Sequence, residues 1–415
     1  MGDERLRTIQ SLQFTDRAGA EALLLGFVRE TFPDLDSVAI ELRPLAVSLN
    51  SFNGFLTLAN GRKLFFKTHV EPDSIVGEYY NSTLLAEAGY PIIKPLYAST
   101  EYGKQFLIYD LIDSPSVFDV AHAIERGERD DLVALTAAQN RADDDLLRIY
   151  LSTLAWQSAE DAAKAPIHQL FHHRLGARYQ EFYGGKAFEL PQGISLTWDD
   201  LLDRQWAIIG VDFHGSLRDA IHRANVDTIR PDRAYWSVIG HGDAHNGNVF
   251  ARPEGLVYFD PAFGGRHNPL LDLTKPLFHN VFATWMYHPH EVAESLQIEF
   301  HDDGTYIRVM HNYRLSACRE MFLESKVQRV LLPLAVELAR RDPPPDTADP
   351  RSYIRETLKA ALMCCPLLTM NLADRQRFPP EVGLLGLCFV IEMGLESGAN
   401  DSSRSIIDSL LDKIR

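Results

Sequence analysis

The hydrophobic period changes once along this chain, near Asp113. That change limits the fold more than any single residue does. Upstream of it, short runs rich in β-branched and aromatic residues alternate with turn residues. SVAIELRPLAVS reads as a strand and FLTLANGRKLFFKTHV as a hairpin, because Asn60-Gly61 offers residues that tolerate positive φ at both turn positions. PDSIVGEYYNSTLLAEAG reads as a helix that opens at Pro72 and stops at Gly89. Ile75, Tyr79, Leu84 and Leu85 form its apolar stripe. PIIKPLYAS and KQFLIYDLI supply two further strands, and an amphipathic helix, EALLLGFVRE, comes before all of them. The expectation is a small antiparallel sheet with one helix against it, after a leading helical segment over residues 1–35.

Beyond Asp113 the period is helical. DLVALTAAQNRADDDLLRIYLSTLAWQSAEDAA, FHHRLGARYQEFYGG, WDDLLDRQWAIIG, SLRDAIHRAN and most of residues 290–413 carry apolar residues at 3.6-residue spacing. One island breaks this texture: YWSVIGHGDAHNGNVFARPEGLVYFDPAFGG, where short strands alternate with Gly-rich turns dense in His, Asp and Asn. The fold class expected is α+β, with a small sheet lobe over 1–112 and a large helical lobe over 113–415. A length of 415 residues suits an enzyme of two lobes.

Charge and cysteine usage exclude several classes. Acidic residues outnumber basic ones by 57 − 41 = 16, and no basic footprint for nucleic acid stands out. Four cysteines without a CxxC pair point to a reducing, cytoplasmic setting rather than a disulfide framework. MGDERLRTIQ has no apolar stretch that would serve as a signal peptide. The apolar run Val382–Leu395 is short and carries Glu392, so it reads as a core helix and not a membrane span. The oligomeric state is left open.

The island holds the chemistry. His241-Gly242-Asp243 is followed by Asn248 five residues after the aspartate, and a strand then leads to Asp260. Phosphoryl transfer from a nucleotide needs one carboxylate to receive a hydroxyl proton and hard oxygen ligands for Mg²⁺. Asp243 suits the first task; Asn248 and Asp260, on either side of a short hairpin, suit the second. A turn that merely caps strands would leave the His-Gly-Asp order and the later Asp-Pro unexplained.

The run HGDAHNGNVF, then YFDPAFGG and NPLLDLT, resembles the catalytic core of the aminoglycoside phosphotransferase and choline kinase-like family. That resemblance implies the bilobal protein-kinase-like fold, with a catalytic loop over 239–265. It also implies a nucleotide-binding lobe over 1–112 and substrate-pocket helices in 113–415. It makes Asp243 the catalytic base and Asn248 and Asp260 the metal ligands, with His241, His245 and Asp272 supporting the catalytic loop. The third motif departs from the family pattern, since Asn268-Pro269-Leu270-Leu271-Asp272 lacks the Gly-Asp before its proline. Such a fold requires a lysine on the third strand and a glutamate on the next helix. Lys67 in LFFKTH and Glu78 meet that requirement. Ser51 and Asn53 lie in a Ser/Asn-rich turn whose backbone N–H groups suit phosphate oxygens. Asp110 and Ile112 lie in the hinge that would face an adenine edge. No GxxxxGK[ST] is present, which excludes a P-loop enzyme.

Other candidates are weaker. His168 and His172 have metal-pair spacing on one helix but no intervening Glu in H-E-x-x-H fashion, so they read as ordinary helix residues. His279, His288 and His290 are scattered, and QEFYGG reads as core. The function expected is Mg²⁺-dependent transfer of the γ-phosphoryl of ATP or GTP to a hydroxyl of a small molecule. The acceptor would be an aminoglycoside, an amino alcohol, a sugar or a ketosamine. The rivals are a silent nucleotide-binding pseudokinase and a protein kinase. The pseudokinase would be favoured by loss of Lys67, Asp243, Asn248 or Asp260, and all four are present. The protein kinase would carry His-Arg-Asp and Asp-Phe-Gly, which are missing. Acid-rich stretches ADDDLL, TWDDLLD and FHDDG would favour a cationic acceptor if they lined its pocket.

Overall fold

Residues 2–43, 51–69, 72–101, 103–347, 349–398 and 404–414 are described by a computed structural model of the chain. The N-terminal part begins with helices α1 (Gly2–Leu12) and α2 (Arg17–Thr31). Asp16 caps α2 by accepting the Gly19 N–H at 3.0 Å. Five strands follow: β1 (Ser37–Leu42), β2 (Ser51–Leu58), β3 (Lys63–His69), β4 (Tyr97–Ser99) and β5 (Phe106–Asp110). They form one sheet in the order β1-β2-β3-β5-β4, antiparallel throughout. Between β3 and β4 runs α3 (Pro72–Ala88), closed by Gly89 at φ +105°.

The expected hairpin forms, but with a different turn. Thr57 pairs with Lys63, and Leu58 N–H donates to Arg62 O at 2.9 Å, so the loop is the three residues Ala59-Asn60-Gly61. Only Gly61 takes positive φ, at +83°. Asn60 instead uses its side-chain oxygen to accept the Arg62 N–H at 2.9 Å.

Strand alternation sets what β3 presents. Leu64, Phe66 and Thr68 are buried, while Phe65 and Lys67 lie on the other face. Phe66 stacks on Phe106 at 5.2 Å, beneath Leu24, Phe27 and Val28 of α2. The expectation of one helix against the sheet therefore undercounts. Both α1 and α2 contribute to this core through Leu6, Ile9, Ala20 and Leu24, whereas Leu85 of α3 belongs to a second core built from residues downstream.

That second core is mainly helical, as the period indicates, but it contains a sheet that the period hides. Trp198–Asp203 is helical as expected, yet the next residues turn into strand Gln205–Ile208, paired with Val211–His214. Ile209 and Gly210 make that turn with φ of +49° and +75°. Ile298–Asp302 and Tyr306–His311, read as helical, are strands of the same five-stranded sheet. Trp206 and Ile208, and likewise Ile307 and Val309, bury every second residue, a pattern that a short apolar run does not separate from one helical turn.

The helix Pro269–Val281 is buried along its whole length and packs on Pro350–Leu368. All four cysteines are free and buried. Among the described residues no helix is long and apolar enough to cross a membrane.

Candidate active site

The island folds around one two-stranded hairpin. Strand Tyr235–Gly240 delivers His241, and a short 3₁₀ turn over Asn246–Asn248 leads into Val249–Arg252, paired with Gly255–Tyr258. Phe259 N–H donates to Asn248 O at 3.1 Å, so Asn248 and Asp260 stand together at the open end of that hairpin.

Most polar groups of the loop have partners, although the buried Asn246 Nδ2 has none among the described residues. The imidazole of buried His241 accepts the Asp243 N–H at Nδ1 (3.3 Å) and faces Phe259 O with Nε2 (3.0 Å), which places its proton on Nε2. Burial holds this ring below its usual pKa, hence neutral. His245 caps the 3₁₀ turn by accepting Gly247 N–H at 3.1 Å. Asn248 donates through Nδ2 to Asp243 O at 3.0 Å, which leaves its amide oxygen for another partner. Gly242 has φ +75°, and a Cβ there would lie 2.3 Å from Phe263 O, so only glycine fits.

Asp272 braces this loop from beneath. It accepts Gly242 N–H and the Tyr150 hydroxyl and lies 3.1 Å from His267 Nε2. Burial pushes its carboxyl up, but these partners together hold it below the usual carboxylate range. The departure at 268–272 has a structural reading. Asn268 caps the helix by accepting Leu270 N–H at 2.9 Å, while its amide group donates to Tyr353 Oη at 2.8 Å. His168 in turn accepts the Asn268 N–H at 3.0 Å, so it is a packing residue, as expected.

The sheet reaches the hairpin through Lys67. Its Nζ lies 2.6 Å from Asp260 Oδ1, across 193 residues of sequence. Asp260 takes φ +55°, a conformation uncommon for a residue with a side chain and concentrated at functional sites. Asn53 pairs directly opposite Lys67 and so shares its face of the sheet. Ser51 pairs with His69 in the same register, but its side chain falls outside the described residues. The side chain of Glu78 also falls outside them, although its backbone lies in α3. Asn81 of α3 ties that helix to the site by donating to Pro261 O at 3.0 Å. Asp110 ends β5 with its carboxylate 3.0 Å from Arg62 Nη2, and Ile112 follows in the connection.

At the site stand Lys275, which the sequence reading missed, and His279, which it set aside as scattered. Lys275 is buried, with Nζ 2.9 Å from Asp243 Oδ1 and 4.5 Å from the centre of the Phe263 ring. His279 packs its ring 5.7 Å from that of His245, and its Nδ1 lies 2.9 Å from the Tyr287 hydroxyl. Their signal was position: Lys275 and His279 follow Asp272 by three and seven residues, on one helical face. Burial pushes the Asp243 carboxyl up, yet Lys275 and His245 outweigh it and hold it well below the usual range. Burial also depresses Lys275, and Asp243 opposes that, so the two form a buried ion pair. His279 is pushed well below its usual pKa by burial and is neutral near pH 7.

No protein-family model matches the chain, and no curated protein matches it. Among solved structures, the chain is similar to the macrolide 2'-phosphotransferase MphH from Brachybacterium faecium. That match has 13% identity and a TM-score of 0.40, over 94% of this chain and 97% of the other. It is also similar to an amicoumacin kinase solved with AMP-PNP and Ca²⁺, at 13% identity and a TM-score of 0.44, over 89% and 92% of the two chains. Choline kinase from Cryptosporidium parvum Iowa II matches at 9% identity and a TM-score of 0.42, over 90% and 94%.

Proposed function

We propose that this chain is a Mg²⁺-dependent phosphotransferase that moves the γ-phosphoryl of ATP or GTP to a hydroxyl of a small molecule. The observation that carries this reading is the convergence of Lys67 with Asp260, beside Asn248 and Asp243, from two ends of the chain. Surface charge pairs do not draw a strand lysine onto an aspartate held at positive φ next to a second carboxylate.

The donor set fits a divalent ion. Asn248 has its amide oxygen left over, and Asp260 has the carboxylate oxygen that Lys67 does not hold. Both are the hard oxygen ligands that Mg²⁺ takes. When bound, the ion would neutralise charge on the nucleotide phosphates. Lys67, on the far wall, contacts those phosphates and keeps Asp260 aimed inward. Asp243 receives a hydrogen bond from the acceptor hydroxyl on the oxygen that Lys275 leaves free. A carboxylate with so low a pKa is a weak base. It therefore orients the hydroxyl first and takes the proton late, as suits a loose transition state in which the phosphorus–oxygen bond to ADP is largely broken.

The test is a coupled ADP-release screen over aminoglycosides, amino alcohols, sugars, hydroxy acids and ketosamines, with ATP and GTP in parallel. Asp243→Ala should abolish transfer, by about 10³-fold or more, while nucleotide still raises the melting temperature. Turnover unchanged in that variant would sink the enzyme reading.

A further inference from the structure

Among the described residues five cationic side chains are buried: Arg174, Lys275, Arg319, Lys326 and Lys359. Four sit on carboxylates. Lys275 lies 2.9 Å from Asp243, Arg319 lies 2.6 Å from Glu125, Lys359 lies 2.7 Å from Asp408, and Lys326 pairs with Asp143. Arg174 is the exception. It is 7% exposed, and its one hydrogen bond among the described residues is a long contact from Nη1 to Thr369 Oγ1 at 3.5 Å. Its Nε is buried with no partner among the described residues. A guanidinium does not escape this cost by losing its proton, and burying one without an anion costs several kcal/mol.

Its position gives the exception a meaning. Arg174 follows the helix Pro166–His173, which packs on the helix carrying Lys275 and His279. Thr369, its one partner, closes the helix Pro350–Leu368, which packs on that same helix. The Arg174 charge reaches Lys275, His279 and Tyr287. These are groups that also feel Asp243, with Lys275 in direct contact with it. Of the nearby carboxylates, Asp243 is held by Lys275, and Asp272 is engaged by Tyr150, His267 and Gly242. Neither is left for Arg174.

We propose that the acceptor is a hydroxyl compound bearing an oxyanion, a carboxylate or a phosphate, and that this anion docks on Arg174 while its hydroxyl meets Asp243. The proposal rests on the phosphotransferase reading and narrows its substrate class. A planar guanidinium receives either anion through paired hydrogen bonds, which fixes the molecule's orientation as well as its charge. In the transfer, the acceptor oxygen bonds to the γ-phosphorus and the bond from that phosphorus to the β,γ-bridging oxygen breaks. The hydroxyl proton passes to Asp243, and ADP leaves. Lys275 stands between the two anionic groups and screens one from the other.

Matched acceptors test the idea: D-gluconate and glucose 6-phosphate against glucose and glucosamine, and D-glycerate against glycerol, each followed by ADP release with the full chain. The acids should be turned over with kcat/KM at least about 30-fold above their neutral and amino counterparts. The better of the two acid types identifies carboxylate or phosphate. Arg174→Gln should raise the acceptor KM by about 30-fold with little change in the KM for ATP, and Arg174→Lys should recover part of the loss. The free Arg174→Gln protein should also melt at a higher temperature than wild type, since an unpaired buried charge is gone. An arginine that only packs would lower it. Glucosamine or glucose preferred over gluconate, no turnover of any acid, or an unchanged acceptor KM in Arg174→Gln overturns the proposal. ATP with Mg²⁺ separates the two readings. Nucleotide stabilisation and ADP release with an amino acceptor would leave the phosphotransferase standing and remove only the oxyanion; no response to nucleotide would remove both.

Discussion

Glu392 offers a sharp test of the energetics at the end of the chain. It lies on the buried helix Pro380–Gly394, where its Oε1 accepts the Ile406 N–H at 3.1 Å and anchors the C-terminal helix. Burial raises its carboxyl from the ordinary 4.5 to about 7, and that one hydrogen bond and the charge of Lys359 offset only part of the effect. The sign follows from linkage. A folded-state pKa above the unfolded one means that the folded protein holds an extra proton between the two values. Stability is then full below about pH 4.5 and is lost as pH rises through 7. A difference of 2.5 units at 1.36 kcal/mol each gives about 3 kcal/mol as the ceiling of that loss. Glu392→Gln keeps the oxygen that accepts from Ile406 and removes the ionisation. In urea unfolding followed by tryptophan fluorescence, the variant should match wild type near pH 4 and exceed it by up to about 3 kcal/mol at pH 8. A constant offset at both pH values would refute the reasoning. So would a variant less stable at pH 8, which would make Glu392 an ion-pair partner of Lys359 instead of an isolated acid.

Two substitutions probe the site. Gly242→Ala places a methyl group 2.3 Å from a backbone oxygen at a φ of +75°. It should cost about 2 kcal/mol of stability and at least about 10² in transfer rate, read by thermal melting and ADP release; full activity would mean that the loop tolerates displacement. Asp272→Asn leaves one acceptor oxygen for the two donors, Tyr150 Oη and Gly242 N–H, that now bond separate carboxylate oxygens, so one goes unsatisfied, and it removes the charge beside His267. Unfolding free energy should fall by about 3 kcal/mol, and the cost should be much the same with His267→Ala already in place only if His267 contributes nothing.

The residues proposed for catalysis were legible because the proposed chemistry, phosphoryl transfer, would fix residue types at short spacings. Asp243, Asn248 and Asp260 lie within one hairpin, and local sequence encodes a hairpin well. Lys67 was legible because the strand alternation that buries Leu64 and Phe66 turns it to the opposite face. The sheet formed by Gln205–Ile208, Val211–His214 and Tyr306–His311 was not. Its strands are four to six residues long, too short for the two periods to separate, and one of its pairings joins residues about a hundred positions apart. Lys275 and Arg174 were illegible for another reason. A lone cation in an apolar helix signals nothing until a fold shows whether a carboxylate meets it, and here one finds Asp243 while the other finds none.

That contrast decides how the acidic surplus bears on function. The acids that would have drawn a cation are engaged elsewhere. Asp143 is buried against Lys326, and Asp144 pairs with Arg329. Asp199 and Asp203 share Arg218, Asp302 meets Arg204, and Asp303 meets Arg308. None of these pairs involves a residue of the Asp243 cluster. The exposed pairs among these contribute little to stability and are screened in salt. At the site Lys67 and Lys275 each hold one carboxylate, and Arg174 meets none among the described residues. A charge left unpaired close to the acceptor acts on it more strongly than distant charges that salt screens. On the proposal above, selection of the acceptor by charge would follow Arg174 and not the composition of the chain.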